Sequence, residues 1–271
     1  MIWQNELLRK MRYDNKRFCK IGDKALQNIK KMTELDTLKE FLSYPLNSTE
    51  EIMKRFASLP NADWRKGNRE QQQFVFVPGT RKDAATLVAH ADTFFNYTEH
   101  NFSVKDEIIK STTLGCGLGA DDRAGCAILW LLKDSGHNLL VTDGEEGRQI
   151  GAKWLINSNS DISEIIHNSS FMVQFDRRNG NDYKFYNIPV SEEFEEYIIR
   201  ETGYTNAGSG SFTDIVTLCD NSRSCCGVNL SVGYYDEHCK DETLNIEEWN
   251  NTLAIAKKML GKQLKRFLKK N

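Results

Sequence analysis

Residues Leu114 to Gly125 read L-G-C-G-L-G-A-D-D-R-A-G and lead into the apolar run Cys126-Ala127-Ile128-Leu129-Trp130-Leu131-Leu132. The glycines give this stretch the backbone freedom of a tight loop, and the apolar run asks for a buried helix. Two adjacent carboxylates are thereby delivered to the mouth of a helix, where the macrodipole favours negative charge. At such a place a carboxylate is either a cap or a ligand for something positive. The company it keeps elsewhere in the chain must decide.

The bulk properties exclude several classes. A chain of 271 residues with 39% hydrophobic and 27% charged residues is ordinary globular material that can bury a core. A formal charge of -2 calls for neither a nucleic-acid nor an acidic-lipid partner. The start, Met1-Ile2-Trp3-Gln4-Asn5-Glu6, is too polar for a signal peptide, and no stretch reaches the roughly 20 apolar residues of a membrane span. The seven cysteines, at 19, 116, 126, 219, 225, 226 and 239, are odd in number and form no C-x-x-C pair. That pattern indicates reduced thiols in a cytoplasmic protein rather than a disulfide framework or zinc finger.

Hydrophobic periodicity gives the elements. Residues 1–32 are basic, with apolar residues at helical spacings, and read as a helical extension docked on a single domain over 33–271. Two helices follow, over Leu35–Leu46 and Ser48–Leu59, the second opened by the capping-box spacing of Ser48 and Glu51. Strands are expected at 74–77, 84–89, 138–142, 171–175 and 226–233, and helices around 150–156 and 192–202. A short helix should open at the Ser209–Asp214 loop, and a last helix should run from Ile246 to Phe267. Strands alternating with helices predict an α/β three-layer sandwich: a mixed, largely parallel sheet flanked by helices, with no inserted lid domain.

The informative regularity is where polar groups fall. Apolar strands repeatedly run into metal-ligand types: His90, the pair Glu145-Glu146, Asp176 and His238. Open α/β sheets bind ligands beyond the carboxyl ends of their strands, so these residues should converge with the Asp121-Asp122 pair. Any one of them alone is better read as a cap, turn former or solvated charge. Together they would repel strongly unless a cation sat among them. Two imidazoles and three carboxylates without thiolate suit zinc or another divalent metal. His90 and Asp92, two apart on a strand, face the same side, as a metal-binding imidazole and its orienting carboxylate do.

The series LVAHAD, GLGADDRAG, TDGEEG, FDRR and NLSVGYYDEH resembles, in this order, the co-catalytic two-zinc exopeptidases, a clan of zinc aminopeptidases, tripeptidases and acylamino-acid deacylases. The resemblance runs from about Leu35 to the C-terminus. It implies that Asp121 bridges two zinc ions, one also held by His90 and Asp176, the other by Glu146 and His238. It further implies that Asp92 orients His90 and that Glu145 is the general base. The choice of Asp121 over Asp122, and of Glu146 over Glu145, as ligands comes from the family pattern.

The gaps from His90 to Asp121 and from Asp176 to His238 are too short for an extra domain, which points to the compact aminopeptidase branch. The implied substrate is a peptide or small amide, with Asp214 expected to line the pocket near a substrate amino group or to cap a helix. Cys239 follows His238 where relatives often carry threonine, and should act only indirectly on the site. Two other readings compete. One keeps the site but makes it a deacylase of N-acyl amino acids, favoured if carboxylate-anchoring arginines face the metals. The other is a binding module that uses basic terminal helices, since Lys257 to Lys270 carry a dense run of lysines. Oligomeric state is not legible in the sequence.

Overall fold

The computed structural model describes residues 33–208, 212–221 and 224–270. The helical extension expected over 1–32 therefore lies outside the described residues. The chain enters through helices α1 (residues 33–42) and α2 (Glu50–Ala57). It then builds an eight-stranded sheet from β1 (Asp63–Lys66), β2 (Gln73–Val77), β3 (Thr86–His90), β6 (Asn138–Thr142), β7 (Met172–Arg177), β8 (Asp182–Lys184), β9 (Thr205–Asn206) and β10 (Gly227–Ser231). Their spatial order is β1-β2-β6-β3-β7-β10-β8-β9. The middle of the sheet, β6-β3-β7-β10, is parallel, and antiparallel pairs flank it on both sides. The mixed, largely parallel sheet flanked by helices is the expected architecture.

Alternation along the strands explains the layers. In β2, Val75 and Val77 point to one face and Phe74 and Phe76 to the other, as a two-residue period requires. The first face is covered by α1, α2, α3 (Ala120–Leu131), α6 (Glu192–Thr202) and α8 (Ile246–Leu260), through residues such as Phe41, Phe56, Ile128, Phe194 and Trp249. The second face is covered by α4 (Ile150–Ser158), α5 (Ser160–His167) and α7 (Asp214–Leu218), through Leu155, Ile162, Ile166, Ile215 and Leu218. Helix α3 lies so close to β7 that a Cβ on Gly125 would stand 2.2 Å from the Phe175 carbonyl oxygen and 2.3 Å from Asp122 Oδ1. Only glycine allows that approach.

A second, four-stranded antiparallel sheet, ordered β11-β12-β5-β4, was not expected. It joins the hairpin β4 (Phe102–Lys105) and β5 (Ile108–Ser111) to β11 (Tyr234–Tyr235) and β12 (Thr243–Asn245). The hairpin turn, Asp106-Glu107, takes φ of 51° and 62° without glycine or asparagine. The usual signal of a two-residue hairpin is therefore missing from the sequence.

Two expectations need correction. The last helix stops at Leu260 rather than Phe267, with Gly261 as its C-cap. Arg81 takes the carbonyls of Leu260 and Lys262, and Asp83 accepts the Leu264 N–H, so the chain leaves the helix and crosses the sheet end. Leu264 and Phe267 are still buried, but from an extended tail whose Phe267 packs on Phe171, Phe194 and Tyr197. The capping box also fails to close: the N-cap of α2 is Thr49, and Ser48 Oγ accepts instead from the Glu50 N–H.

Gly125→Ala is expected to destabilise the fold by about 1–3 kcal/mol, the usual cost of overpacking against fixed backbone. Urea unfolding should show a lower midpoint, and an unchanged midpoint would show that α3 can move away from β7.

Candidate metal centre

Parallel pairing brings the site together. Strands β6, β3 and β7 are neighbours, so their carboxyl ends place Glu145-Glu146, His90 and Asp176 side by side. The glycine-rich loop then delivers Asp121 from the start of α3, with Gly119 in the left-handed region at φ 71°. His238 arrives on the turn between β11 and β12.

The distances define two clusters that share one carboxylate. His90 Nε2 lies 3.1 Å from Asp121 Oδ1 and 3.4 Å from Asp176 Oδ1. His238 Nε2 lies 3.2 Å from Asp121 Oδ2 and 2.8 Å from Glu146 Oε1. Asp121 thus turns one oxygen toward each histidine. Ligand atoms of Asp121, Glu146 and His238 lie within 4.8 Å of one another, as do those of His90, Asp122 and Asp176. Asp122 is occupied otherwise, because its oxygens accept from the N–H groups of His90 at 3.1 Å and Gly125 at 3.0 Å. It ties the end of β3 to the first turn of α3.

Asp92 contacts His90 as the sequence suggests, with Oδ1 3.3 Å from Nδ1. The His90 Nδ1 is also 3.1 Å from the Asp92 carbonyl. The Asp92 carboxylate has a further role: its two oxygens accept the N–H groups of Glu145 and Glu146, each at 3.1 Å. The orienting carboxylate of one cluster therefore fixes the backbone that carries a side chain of the other.

Several supporting residues were not anticipated. Asp176 accepts from Thr213 Oγ1 at 2.7 Å, Gln174 Nε2 at 2.9 Å and the Tyr234 hydroxyl at 3.3 Å. Asn229 accepts the Asp176 N–H and donates to the Asp176 carbonyl. A signal for Gln174 was present, since a polar residue two positions before Asp176 in an apolar strand shares its face. Asn229, a polar residue within the apolar strand expected over 226–233, carried a signal of the same kind; for Thr213 and Tyr234 the sequence offered none. Phe94 stacks on His238 with ring centroids 4.9 Å apart. Asp214 is fully buried and accepts from Thr142, so it neither lines the cleft nor caps its helix, whose N-cap is Thr213. Cys239 is exposed and donates to the Asp236 carbonyl.

The clusters open into a cleft of about 410 Å³, lined among others by Glu145, Tyr186, Phe212, Glu237 and the pair Arg177-Arg178. Both arginines are already engaged, Arg177 with Asp182 at 2.7 Å and Arg178 with Glu237 at 2.8 Å.

Electrostatics follow from burial and crowding. Burial acts to raise the Asp121 pKa, but His238 and His90 outweigh it and hold the carboxyl well below its usual range. The Asp121 and Glu146 carboxylates hold the His238 imidazole up to about 11. Burial acts to lower the His90 pKa, yet Asp176, Asp121 and Asp92 keep it well above the ordinary value. Burial pushes Asp176 up to about 6 against the pull of His90, and pushes Glu145 up to about 10.

This donor set fits divalent metal. Imidazole and carboxylate ligands face one another without thiolate, and Glu146 Oε1 is buried without a hydrogen bond although His238 Nε2 is 2.8 Å away. His90, Asp121 and Asp176 could hold one ion, and Asp121, Glu146 and His238 a second.

No protein-family model matches the chain, and no curated protein does. Solved structures do match. Aminopeptidase PepT from Bacillus cereus superposes with a TM-score of 0.66 at 15% identity, covering 85% of this chain and 98% of the other. A tripeptidase from Staphylococcus aureus gives 0.63 at 14%, covering 85% and 98%. The TET1 peptidase of Pyrococcus horikoshii, which can assemble into a tetrahedron or a large octahedral shell, gives 0.60 at 13%, covering 85% and 100%. The fold is that of the aminopeptidases and tripeptidases. The resemblance read from the five motifs is thus matched by the architecture that carries them. Among the described residues, no helix is long and apolar enough to cross a membrane.

A histidine must be neutral to ligate metal, whereas the Asp121 and Glu146 carboxylates favour the protonated imidazole of His238. Zinc added to metal-free protein near pH 7 should therefore displace protons, and apparent affinity should rise with pH. Calorimetry in buffers of different ionisation enthalpy reads the proton count directly. A buffer-independent enthalpy would show that the histidines enter the site already neutral.

Proposed function

We propose that the protein is a dinuclear zinc exopeptidase that releases N-terminal residues from peptides. The observation that carries this reading is Asp121, one carboxylate with an oxygen toward each of two histidine-centred clusters. Zinc ions bound there would acidify water and polarise a scissile carbonyl.

The chain's own residues supply the rest. Among the described carboxylates lining the cleft, Glu145 alone belongs to neither cluster nor ion pair. It is the general base and acid in this reading: it takes the proton of the attacking water and delivers it to the leaving amine. Burial raises its pKa, which favours proton acceptance, while cations in the adjacent clusters would act in the opposite sense. Asp92 holds the Glu145 backbone, so the base and the His90 orientation are set by one side chain.

Two observations favour peptide N-termini over N-acyl amino acids. The cleft arginines that could anchor a substrate carboxylate are paired with Asp182 and Glu237. The only exposed phenylalanines among the described residues, Phe94 at 59% and Phe212 at 71%, both stand at this site. Exposed aromatic rings beside a polar cleft suit an apolar substrate side chain. For the binding-module reading, Lys257, Lys262, Lys265 and Lys270 of the C-terminal run pair with Glu34, Glu201, Glu193 and Glu192, and the basic residues 1–32 lie outside the described residues.

Metal content and hydrolysis of aminoacyl chromogenic substrates test the proposal. About two zinc ions per chain are expected, with Glu145→Ala retaining metal and losing about 10²–10⁴-fold in kcat. Two metals without aminopeptidase turnover would move the assignment to deacylation. Phe212→Ala should lower kcat/KM for leucyl substrates by about 10-fold relative to alanyl ones, on the scale of one apolar contact. An unchanged ratio would remove Phe212 from side-chain recognition.

A further inference from the structure

We infer that Glu242 is a positioning residue for the metal centre: its buried carboxylate fixes the turn that presents Asp121 and so sets how tightly metal is held. The inference rests on the zinc reading of the site. Glu242 is fully buried, at the entry to β12 and shortly beyond His238. Its Oε2 accepts the N–H groups of Leu118 at 2.9 Å and Gly119 at 2.6 Å, and its Oε1 accepts the Asp121 N–H at 3.1 Å. No lysine or arginine pairs with it among the described residues; burial pushes its pKa up to about 8, and the three backbone amides, its only stabilising partners, act in the opposite sense.

A buried carboxylate is a costly way to satisfy three amides unless their placement matters. Here they belong to the glycine-rich loop, whose freedom would otherwise let Asp121 wander between the two histidines. The loop's φ of 71° at Gly119 is held from outside, by a side chain rather than by its own sequence. Glu242 is itself fixed. Its N–H donates to the Cys239 carbonyl, and the β12 strand that follows pairs with β5 and β11. The turn carrying His238 and the turn carrying Asp121 are thus joined through one carboxylate. Both belong to the cluster with Glu146.

The chemistry of a carboxylate is specific here. Both oxygens act only as acceptors, and both are used. A glutamine of the same shape has one acceptor oxygen. Kept on Leu118 and Gly119, it would place an NH2 group against the Asp121 N–H, donor against donor. Glu242→Gln should therefore loosen Asp121 while leaving the side-chain volume unchanged. Glu242→Asp keeps the charge but draws it back from the loop.

The experiment is zinc binding to metal-free wild type, Glu242→Gln and Glu242→Asp, by competition with a chelating dye. The visible spectrum of the cobalt-loaded forms is recorded alongside. Both variants should bind zinc about 10–100-fold more weakly, as removal of a ligand-supporting partner does. The cobalt spectrum should change, and excess zinc should restore activity to Glu242→Gln. Wild-type affinity and spectrum in Glu242→Gln would overturn the inference while leaving the zinc reading intact. So would loss of cooperative unfolding in both variants, which would make Glu242 a requirement of the fold. Absence of zinc binding by the wild type would remove the zinc reading and this inference together.

Discussion

Carboxylates buried at the carboxyl ends of parallel strands are the constraint on which the rest of this molecule depends. Asp92, Asp121, Asp122, Asp176 and Glu242 are all buried within one region, and charges so placed are unstable without compensation. For three of them the compensation comes from backbone N–H groups. Asp92 takes those of Glu145 and Glu146, Asp122 those of His90 and Gly125, and Glu242 those of Leu118, Gly119 and Asp121. Each acid thereby ties its own element to another. The electrostatic problem and the positioning problem have one solution.

The two histidines complete that arrangement from opposite sides. His90 is rigid, fully buried at the end of β3 and gripped at both ring nitrogens. His238 sits on a turn, partly exposed, with Phe94 stacked against its ring. One cluster is therefore built into the sheet, whereas the other is assembled from loops. The small second sheet matters for this reason, because it braces the turn that carries His238 and the segment leading to Asp121.

The wider fold serves the same end. Gly125 lets α3, which carries Asp121, approach β7, which carries Asp176, closely. Arg81 and Asp83 turn the chain out of α8, and the tail then seals the aromatic cluster of Phe171, Phe194 and Tyr197. Four lysines of the C-terminal basic run pair with glutamates from α6 and α1.

What the sequence by itself determined is the set of local facts. Continuous apolar runs leading into His90, Glu145-Glu146 and Asp176 determined the strands, their order of chemistry and the α/β class, because a strand buried on both faces and its polar end are written in consecutive residues. The glycine-rich loop and its acidic pair were legible for the same reason. Only the tertiary structure decided the pairings between distant residues. It separated Asp121, shared by two histidines, from Asp122, which caps a turn, although the two are neighbours of identical type. It joined Glu242 to a loop far away in sequence, removed Asp214 from the cleft, and ended α8 early under the pull of Arg81. It also formed a hairpin at Asp106-Glu107 that carries no turn signal. Each of these depends on where a carboxylate or guanidinium finds backbone groups of another element, and that partner is fixed by packing rather than by sequence spacing.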